Sequence, residues 1–173
     1  MVEDLNEVLV RPATARDADA IAAVHVASLR QAYADVVPAE YLAGLDVAAR
    51  AATWADRLTT PREGTRTWVA EEEGRVVAFA SLGPSLDEDA ERTTLQIHYI
   101  YLEPGSWGQG IARELMRTLL AEVPDGAAVT LWVPDVNERA AHFYRRNGFA
   151  RDGVERLEDV GGTQLTEVRY RRG

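Results

Sequence analysis

The chain has 173 residues with 28 acidic and 19 basic side chains, a formal net charge of −9, and no cysteine. That length sets one domain large enough for a real core, and 46% hydrophobic with 27% charged residues fits a globular chain. The acidic balance argues against a nucleic-acid partner, absent cysteine excludes disulfides and thiolate chemistry, and no apolar run reaches the ~18 residues of a membrane helix.

"MVEDLNEVLV" (1–10) has no basic segment ahead of an apolar one, so no secretory leader is expected and a cytoplasmic location fits. "VLVRPAT" (8–14) reads as a short strand, and Thr14 with Asp17 resembles a capping box. The helix after it carries Ile21, Val24 and Leu29 on one face, with His25 beside them. A second helical region is expected over 38–59, with Pro38 at its start and Trp54 and Leu58 as anchors. "TWVAEEEGRVVAFASL" (67–82) is a hairpin turning at Gly74. The acidic stretches "EEE" (71–73) and "DEDAE" (87–91) read as solvated turns.

"TTLQIHYIYLEP" (93–104) alternates as a strand, with Leu95, Ile97, Tyr99 and Tyr101 on one face. Gln96, His98, Ile100 and Leu102 take the other. After a glycine-rich loop, Ile111, Leu115, Leu119 and Leu120 mark a helix. "AAVTLWV" (127–133) is a strand stopped by Pro134. A helix over 137–147 has Asn137 as N-cap and Gly148 just past its end. A closing hairpin turns at Gly161 and Gly162. The order βααβββαβαββ describes an α/β sandwich around one sheet, a single domain over 8–171.

The loop "EPGSWGQGIA" (103–112) places Gly105, Gly108 and Gly110 at a helix mouth. The first amides of a helix have no internal partners and sit at its positive end, so this is an anion trap. Arg113 adds a charge near the first turn. The dinucleotide fingerprint fails because Arg113 stands where its last glycine belongs, and no Gly-Lys-Ser/Thr follows for a P-loop.

"WGQGIA" (107–112) followed by "NERAAHFYRRNGF" (137–149) resembles the GCN5-related N-acetyltransferase (GNAT) superfamily, whose motifs are Q/R-x-x-G-x-G/A and N-x(6)-Y before a G-F pair. The resemblance implies the acyl-CoA N-acyltransferase fold. That fold is a mixed central sheet of about seven strands with helices on both faces, the fourth and fifth strands splayed. It implies acetyl-CoA as co-substrate, no metal, and transfer of the acetyl group to a primary amine of a small molecule or peptide in a ternary complex. A homodimer is possible, since dimers are frequent among members.

The roles it implies fall on particular residues. Trp107, Gly108, Gln109, Gly110, Ile111 and Ala112 would cradle the pyrophosphate, with Arg113 beside them. The backbone of Ile100, Tyr101 and Leu102 would pair with pantetheine, and Asn137 would meet the cofactor near the same slot. Tyr144 would be the general acid to the CoA thiolate. Two departures stand out: Trp107 replaces the usual Gln or Arg, and Gln96 and Trp132 stand where many members carry a glutamate base. His98 is the substitute base, with an ordinary pKa near ~6.5. Tyr33, Gln96 and Trp132 would line the acceptor side, with Tyr41 and Trp54 as further wall candidates. His25 reads as structural and His142 as exposed. The acidic surface favours a cationic amine, and a non-catalytic acyl-CoA-binding module of the same fold is the competing reading.

Overall fold

The computed structural model describes residues 7–173, so the first six residues, where a leader would begin, lie outside the described residues. Seven strands form one mixed sheet in the order β1-β2-β3-β4-β5-β7-β6. They are β1 (Val8–Pro12), β2 (Arg66–Glu72), β3 (Arg75–Pro84), β4 (Leu95–Leu102), β5 (Val129–Pro134), β6 (Ala150–Val160) and β7 (Thr163–Arg172). Only β4 and β5 run parallel; every other neighbour is antiparallel. The helices are α1 (Ala18–Ala32), α2 (Ala39–Ala43), α3 (Val47–Thr59), α4 (Ile111–Ala121) and α5 (Glu138–Arg146).

Both sheet faces are covered. On one, α1 and α3 bury Ile21, Val24 and Trp54 against Val69 and Phe79. On the other, α4 sets Ile111, Leu115, Met116 and Leu119 against Val77, Ala80, Ile97 and Leu131. The spacing of those four α4 residues makes one apolar stripe, which removes them from water and holds the helix in place. At the entry to α1, the Asp17 carboxylate accepts the Thr14 amide at 2.7 Å and Arg11 at 2.8 and 2.9 Å.

The helix expected over 38–59 is two helices. Gly44 follows α2, and the Asp46 side chain caps α3 by accepting the Ala49 amide at 3.2 Å. That N-cap satisfies one of the new helix's orphan donors, so the chain restarts there. The break lets α2 dock on the β6–β7 hairpin, where Val37, Leu42 and Leu165 form a small third cluster. Gly161 has φ +60°, and a Cβ there would sit 2.4 Å from Cγ of Tyr41. Tyr41 therefore packs on the hairpin turn.

"DEDAE" is the exposed turn expected, but two of its carboxylates are tied down. Arg169 on β7 is almost fully buried and donates to Asp87, Asp89 and Asp152 at 2.6–3.2 Å, which ties the β3–β4 loop to the sheet. Glu71, from the other acidic stretch, accepts Arg11 at 2.7 Å.

Candidate active site

β4 and β5 share only two residue pairs, Leu95 with Val129 and Gln96 with Thr130, and then part. The opening is a cleft of about 710 Å³. Its walls are β4 from Ile97 to Leu102, β5 from Leu131 to Pro134, the end of α1, the glycine loop and α5. Ser28 Oγ donates to the Leu102 carbonyl at 2.9 Å and fastens α1 to the β4 wall.

The alternation expected along β4 breaks inside the cleft. Tyr99 pairs with Ser81 and Ile97 with Leu82, so His98 is an extra residue in a β-bulge. Leu95 and Ile97 pack with Ile100 and Leu102 on the α4 side, whereas Tyr99 and Tyr101 pack on the α1 side. One inserted residue exchanges the faces beyond it. His98 itself is half-buried and lines the cleft. Burial lowers its pKa from the ordinary histidine value, partly offset by the Pro84 backbone and the Asp87 charge.

At the cleft's other end, Gly110 caps α4 in the left-handed region at φ +82°, and Gly108 sits at +77°. A Cβ on either would meet no atom within 4 Å among the described residues beyond its chain neighbours, so these backbones face open space. The first amide to bond back along α4 is Glu114, to Gly110 O at 3.1 Å, which leaves the first-turn amides of Ile111, Ala112 and Arg113 without helical partners. Such a cradle fits a phosphate group. Gln109 turns its side chain back toward Gly105 O at 3.4 Å and is not a cleft-lining side chain. Trp107 lines the cleft and carries the guanidinium of Arg139 at 3.6 Å from its ring centre.

α5 positions Tyr144 through both of its ends. Asn137 Oδ1 caps the start by accepting the Ala140 amide at 3.1 Å, so its side chain is already engaged although it lines the cleft. At the other end Gly148 has φ +87°, its amide reaches Arg145 O at 3.2 Å, and the Phe149 amide reaches Tyr144 O at 3.1 Å. This is the Schellman arrangement, in which a hydrophobic residue after the glycine folds back on the last turn. Phe149 does so, edge-on to the Tyr144 ring at 6.1 Å. The "NGF" sequence thereby fixes Tyr144, which also packs against Phe143 and Tyr170 and lines the cleft. Burial raises its phenol pKa well above the ordinary value.

On the acceptor side Trp132 and Tyr33 line the cleft. The Trp132 indole donates to Asp87, and Arg156 lies 4.2 Å over its ring. Gln96 is buried and accepts the Leu86 amide at 3.1 Å; it holds the β3–β4 loop and does not line the cleft. Trp54 is also sealed in, donating to His25 Nδ1 at 3.3 Å among Phe79 and Tyr99. Burial, with the charges of Arg50 and Arg57, pushes the His25 pKa down to about 3. His142 is exposed, on the outer face of α5. Arg139 and Arg146, which also line the cleft, escaped the sequence reading. Arg139 sits two residues after the cap Asn137, a position that sends it back toward the loop; nothing local to it marks its partner Trp107.

The acetyltransferase (GNAT) family model matches residues 27–149, and the chain belongs to that family. An uncharacterized N-acetyltransferase of Mycobacterium tuberculosis is 36% identical over 141 residues, 80% of this chain and 86% of its own. Among solved structures, the ribosomal-protein-alanine N-acetyltransferase of Brucella melitensis superposes with a TM-score of 0.73 at 24% identity, covering 95% of this chain and 98% of that one. A Salmonella typhimurium acetyltransferase solved with acetyl-CoA gives 0.70 at 20% identity, covering 95% and 92%. These likenesses match the open seven-stranded sheet described above.

Proposed function

We propose that this protein transfers the acetyl group of acetyl-CoA to a primary amine by direct attack, with Tyr144 as general acid and His98 as base. The observation that carries the reading is the parting of β4 and β5 after two residue pairs, with Tyr144, His98 and the glycine cradle all lining the one opening. The thioester supplies an activated acyl carbon. The amine nitrogen forms a bond to that carbon and the carbon–sulfur bond breaks.

Two protons then have to move. Tyr144 keeps its proton at neutral pH because burial disfavours the phenolate, so it can deliver that proton to the departing sulfur. His98, held neutral by burial, can take the proton that the amine loses, directly or through water. Gly108 to Ala112 would hold the pyrophosphate, and the β5-facing edge of β4 from Ile100 to Leu102, paired only with β3, offers strand edge to the pantetheine amides. Trp132 and Tyr33 offer apolar wall to the organic part of the amine.

The test is release of free thiol from acetyl-CoA across aminoglycosides, polyamines, amino acids and peptides with free N-termini or lysines. Acceptor-dependent release abolished by Tyr144→Phe supports the enzyme. Acetyl-CoA binding with no release across the whole panel would favour the non-catalytic module.

A further inference from the structure

We propose that Arg139, held on Trp107, binds the pyrophosphate of CoA and does the work of the polar side chain that Trp107 replaces in the loop motif. This deepens the cofactor reading above and rests on it. Four observations converge on the pair.

The first is geometry. The Arg139 guanidinium lies 3.6 Å from the Trp107 ring centre, and both residues line the cleft beside the glycine cradle. Stacking on an indole leaves the planar N–H fork free at its edges, where it can grip two phosphate oxygens at once. The second is the absence of a carboxylate partner. In a chain of net charge −9, Arg113, Arg139 and Arg146 all line this cleft, yet none makes an ion pair among the described residues. Three uncompensated guanidiniums in one opening on an acidic protein describe a seat for a polyanion.

The third concerns position. Arg139 is the second residue of α5, at the positive end of the helix dipole, where a cation is unfavourable. The helix carries that charge at a cost which an anion in the cleft would reverse. The fourth is room: Gly108 and Gly110 leave open space at their missing Cβ positions, so a phosphate on the loop can come close to the backbone.

The test is calorimetric titration of the full chain with CoA, dephospho-CoA and pantetheine, for wild type, Arg139→Ala, Arg139→Lys, Trp107→Phe and Trp107→Ala. For Arg139→Ala the expected result is CoA and dephospho-CoA both weakened about tenfold or more, with pantetheine unchanged. Arg139→Lys recovers only part, because a point charge lacks the fork. Trp107→Phe stays close to wild type, while Trp107→Ala follows Arg139→Ala. The melting temperature of Arg139→Ala does not fall, since removing the cation from the helix start offsets the lost stack on Trp107, and that of Arg139→Lys, which keeps the charge, stays near wild type.

Unchanged CoA affinity in Arg139→Ala overturns the assignment. A loss confined to CoA would move the residue to the 3′-phosphate, and an equal loss for pantetheine would mean general damage to the cleft; either overturns it too. Wild type that binds no CoA would instead bring down the cofactor reading, and this inference with it.

Discussion

The indole nitrogen of Trp132 donates to both carboxylate oxygens of Asp87, at 3.0 and 3.3 Å, so a residue of the cleft wall is held by a loop 45 positions away. Asp87 is in turn held by Arg169, which also takes a bidentate grip on Asp89 and a 2.6 Å bond to Asp152. Gly153 opens the β6 bulge beside Asp152, at φ +89°. Replacing Arg169 with Met should strand the partly buried charges of Asp87 and Asp152 and cost about 3 kcal/mol in urea unfolding. The freed Trp132 should raise KM for the amine more than KM for acetyl-CoA. A loss below about 1 kcal/mol would show the cluster to be surface decoration.

Tyr144→Phe removes one hydroxyl from a ring fixed by Phe149 and the Gly148 cap. Turnover should fall about 100-fold or more, while the dissociation constant for acetyl-CoA stays within about twofold. Equal losses in binding and turnover would make the tyrosine a packing residue.

His98 must be neutral to accept a proton, and its pKa lies below the ordinary 6.5. The acid limb of kcat/KM should therefore fall below pH 6.5, with activity held as pH drops to that point. His98→Gln should lower kcat/KM about 100-fold and remove that limb. A limb that persists in the variant assigns the base elsewhere.

Gly110 and Gly126 make a matched pair: φ is +82° and +83°, and beyond its chain neighbours neither has an atom of the described residues within 4 Å of a would-be Cβ. Alanine at either should cost about 1–2 kcal/mol from backbone strain alone. Only Gly110→Ala, at the mouth of α4, should also weaken CoA. Equal CoA affinity in the two variants would remove the cradle role.

His25 refuses a proton in the fold until about pH 3, whereas the unfolded chain takes one near 6.5. The unfolded state binds more protons between those values, so stability falls as pH drops through that window, by about 1.4 kcal/mol per unit. His25→Gln keeps an acceptor for Trp54 and should flatten this slope. The check is urea unfolding at pH 7 and 4.5, with the imidazole C–H resonance of the folded wild type expected not to titrate.

The element order was legible because each element carries its own period and punctuation: Pro134 ends β5, Asn137 and Gly148 bracket α5, and the two glycines 161 and 162 turn the last hairpin. What stayed hidden depends on distant partners. The bulge at His98 is set by how β4 lies on β3, and "LQIHYIYL" alternates equally well with or without it. "DEDAE" reads as a solvated turn until Arg169 arrives from the far end of the chain. Arg139 gains meaning only beside Trp107, 32 positions earlier. The split between α2 and α3 was closer to the surface, since Gly44 and Asp46 together spell a stop and a cap.

Every other neighbouring pair of strands shares at least five residue pairs, but β4 and β5 share two. The sheet is thus two leaves on a short spine, and at that spine Thr130 keeps a buried hydroxyl with no hydrogen-bond partner among the described residues. A guest lying between the leaves adds hydrogen bonds where the sheet has fewest and lends the fold its own binding free energy. Occupancy and mechanical continuity become one variable. Amide exchange in β4 and β5 should slow together when the cleft fills, and melting should track ligand concentration.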